Sequence, residues 1–316
     1  MEEKEVIINV EHLTKDYGYG RGVFDVSIKV HKGECYGYLG PNGAGKSTTI
    51  RHIMGFSKTS VGKVEIFGQE TFGHTDKILE KVGYLPGEPA LPLYMNGWEF
   101  LKMMEDMRGS KNEEMLKHLI DIFKLDPSMS IKSMSLGDKR KLAVVSAFMN
   151  DPDVLILDEP TSGLDPIMQK VFIDFVVEEK KRGKTILLSS HIFSEVDATC
   201  DTISIIKDGK HVSTFKADDL KNMNNQTYIL HFLNKENMDL YLNERNKFKV
   251  VETNETNLTA AIEFDKKQYK DFFDSMYGVK IKEFEEKPFT LQDYFMSFYK
   301  EDKEFAGLTG VKGNKK

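Results

Sequence analysis

Residues 40–47 read Gly-Pro-Asn-Gly-Ala-Gly-Lys-Ser, a G-x-x-x-x-G-K-[ST] spacing set between the strand-like ECYGYLG and the helix-like STTIRHIMGF. No other segment restricts the fold so much. Glycines admit backbone angles that turn successive N–H groups toward one point, which makes a nest for anionic oxygens. A helix starting near Lys46 adds its positive dipole end to the same place. The segment Gly40, Pro41, Asn42, Gly43, Ala44, Gly45, Lys46, Ser47 and Thr48 is therefore expected to hold the phosphates of a nucleotide. Lys46 is placed to reach the β and γ phosphates, and Ser47 to offer its hydroxyl to Mg²⁺. A glycine-rich turn that merely precedes a helix is the plainer alternative, and the strand, loop and helix in that order argue against it. A guanine site would normally bring N-K-x-D. The one Asn-Lys pair here, at Asn234-Lys235-Glu236-Asn237, lacks the aspartate and lies far down the chain.

A second segment, Val154-Leu155-Ile156-Leu157-Asp158-Glu159-Pro160, reads as a buried strand that ends in two carboxylates. Ligands of open α/β sheets sit outside the carboxyl ends of the strands. Placed beside the phosphate-loop strand, Asp158 is expected to hold Mg²⁺ through water, which leaves Glu159 as general base for an attacking water. VLILDEP and the apolar TILLSSH, with the helical VFIDFVVEEKKRG between them, indicate parallel strands covered on both faces.

Around these segments, VIINV (6–10), VSIKV (26–30) and KVEIFG (63–68) read as an early β layer, with a glycine-rich turn at YGYGRG. Helical periodicity runs from about residue 96 to 150, opened by an Asn96–Glu99 capping pair. TISIIKDGK (202–210) reads as a strand and turn that close a first domain, residues 1–221. Beyond it, NMNNQ reads as a polar linker. Alternating segments from TYILHFL to VKIKEFEE then read as β-α-β-β-α-β, a small ferredoxin-like sandwich over 222–304. Residues 305–316, which include AGLTGVKGNKK, read as a disordered tail.

Composition narrows the partners. The formal net charge is −6, and the last ninety-odd residues carry 15 basic against 16 acidic side chains, so no basic arm for nucleic acid is expected. Two cysteines are too few for a disulfide framework and fit a reducing compartment. The N-terminus lacks an apolar signal core, and no apolar run approaches the roughly 18 residues needed to cross a bilayer. A chain of this kind is expected to stay in the cytosol and, if it works at a membrane, to borrow a membrane partner.

The set of motifs resembles an ATP-binding cassette (ABC) ATPase over roughly residues 6–215. GPNGAGKS stands as Walker A and VLILDE as Walker B; Thr161-Ser162-Gly163-Leu164-Asp165-Pro166 matches the D-loop; His191 matches the switch histidine. Ser135 and Gly137, in Met134-Ser135-Leu136-Gly137-Asp138, occupy the signature position, and Tyr17 matches the aromatic that stacks on adenine. The resemblance implies an α/β fold, a P-loop NTPase domain of ABC type with an antiparallel β layer, a RecA-like core and a helical subdomain at about 88–150. It further implies ATP and Mg²⁺ as cofactors, Lys46, Glu159 and His191 in catalysis, and a second ATPase subunit, as a homodimer, whose Ser135, Gly137 and Asp165 complete the site. An integral membrane permease is the implied partner, and through it a peripheral place at the cytoplasmic face of the plasma membrane. GYLPGE, the single cassette and the C-terminal FTLQDYFMSFY resemble bacterial drug and peptide exporters of the bacitracin-resistance type. Residues 88–104, with Leu91, Leu93, Tyr94, Trp98 and Phe100, match the neighbourhood that receives a permease helix; ordinary core is the alternative.

Ser135 also begins a helix, so capping with Asp138 as a capping-box partner and anion binding would use the same donors. Two positions depart from the family pattern. Asp138 replaces the signature glutamine and brings negative charge near a phosphate site. Gly87 stands where a glutamine usually touches Mg²⁺ and the water, with Glu88 next to it as the expected substitute Mg²⁺ ligand. A non-transport cassette acting on ribosomes or DNA, and a regulatory cassette of slow turnover, are the other readings.

Overall fold

The computed structural model describes residues 4–221, 225–296 and 298. The chain divides into two compact units, Met1–Ala217 and Asp218–Lys316.

In the first unit, β1 (Val6–Gly18) and β2 (Arg21–His31) form an antiparallel hairpin. Both run longer than VIINV and VSIKV, because register shifts carry the pairing past Leu13 into the polar stretch before the turn. Next comes β3 (Cys35–Leu39), buried along its whole length, and α1 (Lys46–Ile53). β4 (Val61–Ile66) and β5 (Gln69–Glu70) extend the hairpin into a four-stranded sheet, β2-β1-β4-β5. A seven-residue helix, α2 (Thr75–Lys81), precedes β6 (Val82–Leu85). Periodicity does not single α2 out: only Ile78 of its residues is buried, so it carries almost no apolar stripe.

The helical stretch resolves into α3 (Gly97–Arg108), α4 (Glu113–Ile122) and α5 (Leu136–Phe148). Asn96 and Glu99 exchange both bonds of a capping box at the start of α3. Phe100 of the aromatic segment turns into the core, whereas Leu93, Tyr94 and Trp98 stay exposed. Then come β7 (Val154–Asp158), α6 (Pro166–Lys181), β8 (Thr185–Ser190), α7 (Phe193–Thr199), β9 (Thr202–Lys207) and β10 (Lys210–Lys216). Phe123, Phe148, Phe172 and Phe175 pack edge-on and tilted, with the Phe148 and Phe175 centroids 5.0 Å apart, and tie α5 to α6.

The second sheet has the order β10-β9-β3-β8-β7-β6, parallel except for β10 at its edge. β7 is therefore not beside the phosphate-loop strand. β8 lies between β3 and β7, so the ends of three strands present the phosphate loop, Ser189-Ser190-His191 and Asp158-Glu159 side by side. β7 and β8 are buried at every position, as strands covered on both faces must be.

The helix α8 (Ala217–Lys221) starts at the division between the units. The second unit contains β11 (Asn225–Phe232), α9 (Lys235–Leu240), β12 (Lys249–Asn254), β13 (Thr259–Asp265), α10 (Tyr269–Ser275) and β14 (Ile281–Lys287). All pairings are antiparallel in the order β12-β13-β11-β14, the ferredoxin-like arrangement. Asn225 and Gln226 belong to β11 instead of a linker. The rest of that linker, 222–224, and the tail at 305–316 lie outside the described residues. The core is aromatic: Phe264 stacks on Phe272 at 4.1 Å, and Tyr228 on Phe264 at 5.7 Å.

Truncating the fully buried Phe272 to alanine is expected to destabilise this unit by about 3–5 kcal/mol. Trp98, the sole tryptophan, lies in the first unit. Urea unfolding followed by its fluorescence should stay unchanged, while part of the circular-dichroism transition moves to lower urea.

Candidate functional site

The phosphate loop is shaped by what its glycines leave out. Gly45 caps α1 with φ of 106°, and a Cβ there would sit 2.6 Å from a Val23 methyl. At Gly40 a Cβ would meet the Ile206 carbonyl oxygen at 2.4 Å. No side chain fits either position without moving the sheet. Lys46 is 5% exposed; its ammonium donates to the carbonyls of Gly40 (2.7 Å) and Pro41 (3.1 Å). The same ammonium pairs with Glu159 Oε1 at 2.9 Å.

Glu159 is the centre of the arrangement. It follows the end of β7 in a left-handed conformation, φ 47°, unusual for a residue with a side chain. Its Oε2 lies 2.6 Å from His191 Nδ1, so lysine and histidine each occupy one carboxylate oxygen. Asp158, 3% exposed, accepts from the Ser189 hydroxyl through Oδ1. The Glu159 N–H donates to the Ser189 carbonyl at 3.0 Å. The sheet order explains the convergence: β8 supplies Ser189 and leads into His191 between the other two strand ends.

Two clefts meet at these groups. One, of about 780 Å³, is lined by Ser47, Asp158, Glu159, His191, Gly87 and Glu88, with Asn42 and Tyr84. The other, of about 450 Å³, runs over the loop from Gly43 to Thr48 and reaches Tyr17 and Arg21. Tyr17 is 55% exposed, with the Lys15 ammonium 5.6 Å from its ring centre. The Ser47 hydroxyl and the Asp158 carboxylate in one cleft are hard oxygen donors. That set fits Mg²⁺, which takes one or two protein oxygens and leaves the rest of its shell to water and phosphate.

Ser135, Gly137 and Asp165 do not line either cleft among the described residues. Ser135 caps α5, accepting from the Asp138 N–H at 3.1 Å. The expected reciprocal box is absent: the Asp138 carboxylate accepts from the Ser135 hydroxyl (2.6 Å) instead of from its backbone, and lies 3.9 Å from Lys141. Asp165 caps α6, accepting from Ile167 and Met168. A Cβ on Gly137 would lie 3.5 Å from the Gly163 carbonyl, so the signature turn and the D-loop of one chain are neighbours. Gly87 stands over the Asp158 carboxylate, where a Cβ would be 3.4 Å from Oδ2.

Two buried residues at the site lie outside the sequence motifs. Arg140, 2% exposed on α5, donates to five main-chain carbonyls: Pro86 (2.6 Å), Gly87 (3.0 Å), Asp158 (3.1 Å), Pro160 (2.9 Å) and Glu159. Burial pulls its guanidinium down to about 10, against the opposing charges of Asp158, Glu195 and Glu159, so it remains a cation at neutral pH. Glu195, 1% exposed on α7, accepts from the Ser190 hydroxyl, which in turn accepts from the Ile192 N–H at 2.9 Å. Burial, with the nearby Glu159 charge adding to it, raises its carboxyl to about 7. An arginine whose partners are backbone atoms leaves no pairing pattern in a sequence. The S-H-x-x-x-E spacing of Glu195 was the one available signal.

Residues 23–162 match the family model described as ABC transporter. The chain is 35% identical over 242 residues to the bacitracin transport ATP-binding protein BcrA of Bacillus licheniformis, covering 76% of this chain and 79% of that one. It is 33% identical to the Nod factor export ATP-binding protein I of Ralstonia nicotianae, covering 68% of each chain. Among solved structures, an ATP-binding subunit of an ABC transporter superimposes with a TM-score of 0.63 at 31% identity, over 68% of this chain and 92% of that one.

Glu195 makes stability depend on pH. The folded chain keeps its carboxyl protonated up to about 7, whereas the unfolded chain releases that proton near 4.5. Between those values the native state binds more protons, so the contribution falls as pH rises through the window and levels off above it. Glu195→Gln is expected to match the wild type near pH 4.5 and exceed it at pH 8 by up to about 3 kcal/mol. Urea denaturation at both pH values checks this.

Proposed function

Because this chain belongs to the ABC transporter family of ATP-binding subunits, we propose that it hydrolyses ATP held between two copies of itself, head to tail, and so drives a separate permease of an exporter. No described helix is long and apolar enough to cross a membrane, so the membrane path belongs to that partner. The export assignment rests on similarity to proteins named for bacitracin transport and Nod factor export. The observation that carries the catalytic reading is the Glu159 carboxylate held between Lys46 of the phosphate loop and His191.

Adenine stacks on the exposed ring of Tyr17, and the phosphates lie along the loop from Gly40 to Thr48 toward the larger cleft. Ser47, Asp158 and, in this chain, Glu88 hold Mg²⁺. When bound, the ion neutralises charge that develops on the transferring phosphoryl group. Phosphate oxygens compete with Glu159 for the Lys46 ammonium. ATP entry thereby frees Oε1, while His191 keeps the carboxylate oriented through Oε2. Glu159 then accepts the proton of a water whose oxygen attacks the γ phosphorus, and the bond to the β–γ bridging oxygen breaks. Ser135, Gly137 and Asp165 face the γ-phosphate of the opposite copy, where the N-terminus of α5 supplies a second anion site. Closure of the pair moves the permease, and hydrolysis resets it.

One observation favours the slower, regulatory reading. The Ser135 hydroxyl is already engaged by the Asp138 carboxylate, so a phosphate must displace an anion to use it.

Glu159→Gln is expected to keep ATP affinity while lowering turnover by about 10²–10⁴-fold, and to trap an ATP-bound dimer visible by size-exclusion chromatography. Full-rate hydrolysis by that variant defeats the assignment. Glu88→Ala is expected to raise the Mg²⁺ needed for half-maximal turnover about tenfold; an unchanged Mg²⁺ titration removes Glu88 from the metal site.

A further inference from the structure

Arg140 is buried without a carboxylate bonded to it, and every bond it makes is to a main-chain carbonyl. Its neighbours along α5, Leu142, Ala143, Val144 and Val145, show that this surface of the sheet accepts apolar side chains. Packing alone therefore does not call for a guanidinium, which is costly to bury. What only a planar fork of five donors can do is gather carbonyls from several segments in one plane. Here it gathers two: Pro86–Gly87 after β6, and Asp158–Glu159–Pro160 at the end of β7.

Three of the five carbonyls flank the left-handed residue Glu159 or belong to it. That backbone conformation aims the Glu159 carboxylate at Lys46 and His191, and it is disfavoured for any residue with a Cβ. The guanidinium bonds hold it. The other two bonds fix Pro86 and Gly87, the position that carries no side chain able to reach the metal or the water. At the opposite end, Arg140 lies on the second turn of α5, whose cap is Ser135.

We propose that Arg140 is a positioning residue for hydrolysis, tying the helix capped by Ser135 to the Gly87 loop and to the backbone of Glu159, so that the general base is aligned only when that helix is seated. The link runs through main chain and so does not need the side chain missing at position 87. This role rests on Glu159 acting as the base.

The test compares wild type with Arg140→Lys, which keeps the charge but cannot span five carbonyls, and Arg140→Gln, which keeps two donors without charge. Both are expected to bind ATP within about threefold of wild type and to lose about 100-fold in kcat with little change in KM. Lysine should recover no more than a small part of the rate. A lysine variant with kcat within twofold of wild type overturns the proposal, as does a loss confined to ATP affinity. Should both variants unfold, the wild-type protein labelled with ¹⁵N-arginine decides. A guanidinium fixed by five carbonyls gives separate, slowly exchanging Nη–H signals for Arg140, and rotationally averaged signals overturn the proposal. The two readings fail differently. A wild-type chain that hydrolyses no ATP, or an active Glu159→Gln, removes the base; active wild type beside an indifferent Arg140→Lys removes the positioning role alone.

Discussion

Everything at the carboxyl edge of the parallel sheet follows from the need to satisfy charge that has been taken out of water. Lys46, Arg140, Asp158 and Glu195 are all nearly inaccessible, and none can stay so without partners. The solutions differ by residue. Lys46 uses two loop carbonyls and a carboxylate, Asp158 a hydroxyl, and Arg140 five carbonyls. Glu195 lessens the problem by holding its proton up to about pH 7 and by accepting from the Ser190 hydroxyl. The partners come from the phosphate loop, the loop after β6, β7 with the turn after it, and β8, so the same bonds that neutralise the charges also fix these segments against α1, α5 and α7, which carry Lys46, Arg140 and Glu195.

That linkage explains why so much of the site was readable and why the remainder was not. A phosphate loop is a local object: glycines at fixed spacing, a lysine and a hydroxyl, all within eight residues of one another. The strand that ends in Asp158 and Glu159 is likewise local, because burial on both faces writes a continuous apolar run. Strand order is not local. VLILDEP reads equally well beside the loop strand or one place removed, and only the structure shows β8 between them. Arg140 is less legible still, since a carbonyl belongs to every residue and carries no side-chain signature.

The errors in the finer reading have similar causes. Asp138 follows Ser135 at capping-box spacing, yet its carboxylate takes the hydroxyl rather than the backbone N–H. Spacing decides which groups can meet, and rotamers decide which of the competing donors is taken. β10 and α2 were unread because an edge strand and a short surface helix bury too little to imprint a period. In the second unit the alternation was clear enough to give the β-α-β-β-α-β order, because its aromatic core places Tyr228, Leu230 and Phe232 on one face of β11, and Ala260, Ile262 and Phe264 on one face of β13.

Gly87 lies where the loop after β6 approaches the carboxylate pair. In a site that depends on a side chain to sense the bound phosphate, a glycine breaks the connection. Here the glycine brings main chain close to the Asp158 carboxylate, at a distance where a Cβ would just make contact. The carbonyl of the same residue is held by Arg140, which also holds the carbonyls of Asp158 and Glu159. The loop and the carboxylate pair are therefore joined through the backbone by one guanidinium. What the position supplies is a fixed carbonyl, which any residue carries, beside a space where a Cβ would touch Asp158 at ordinary contact distance.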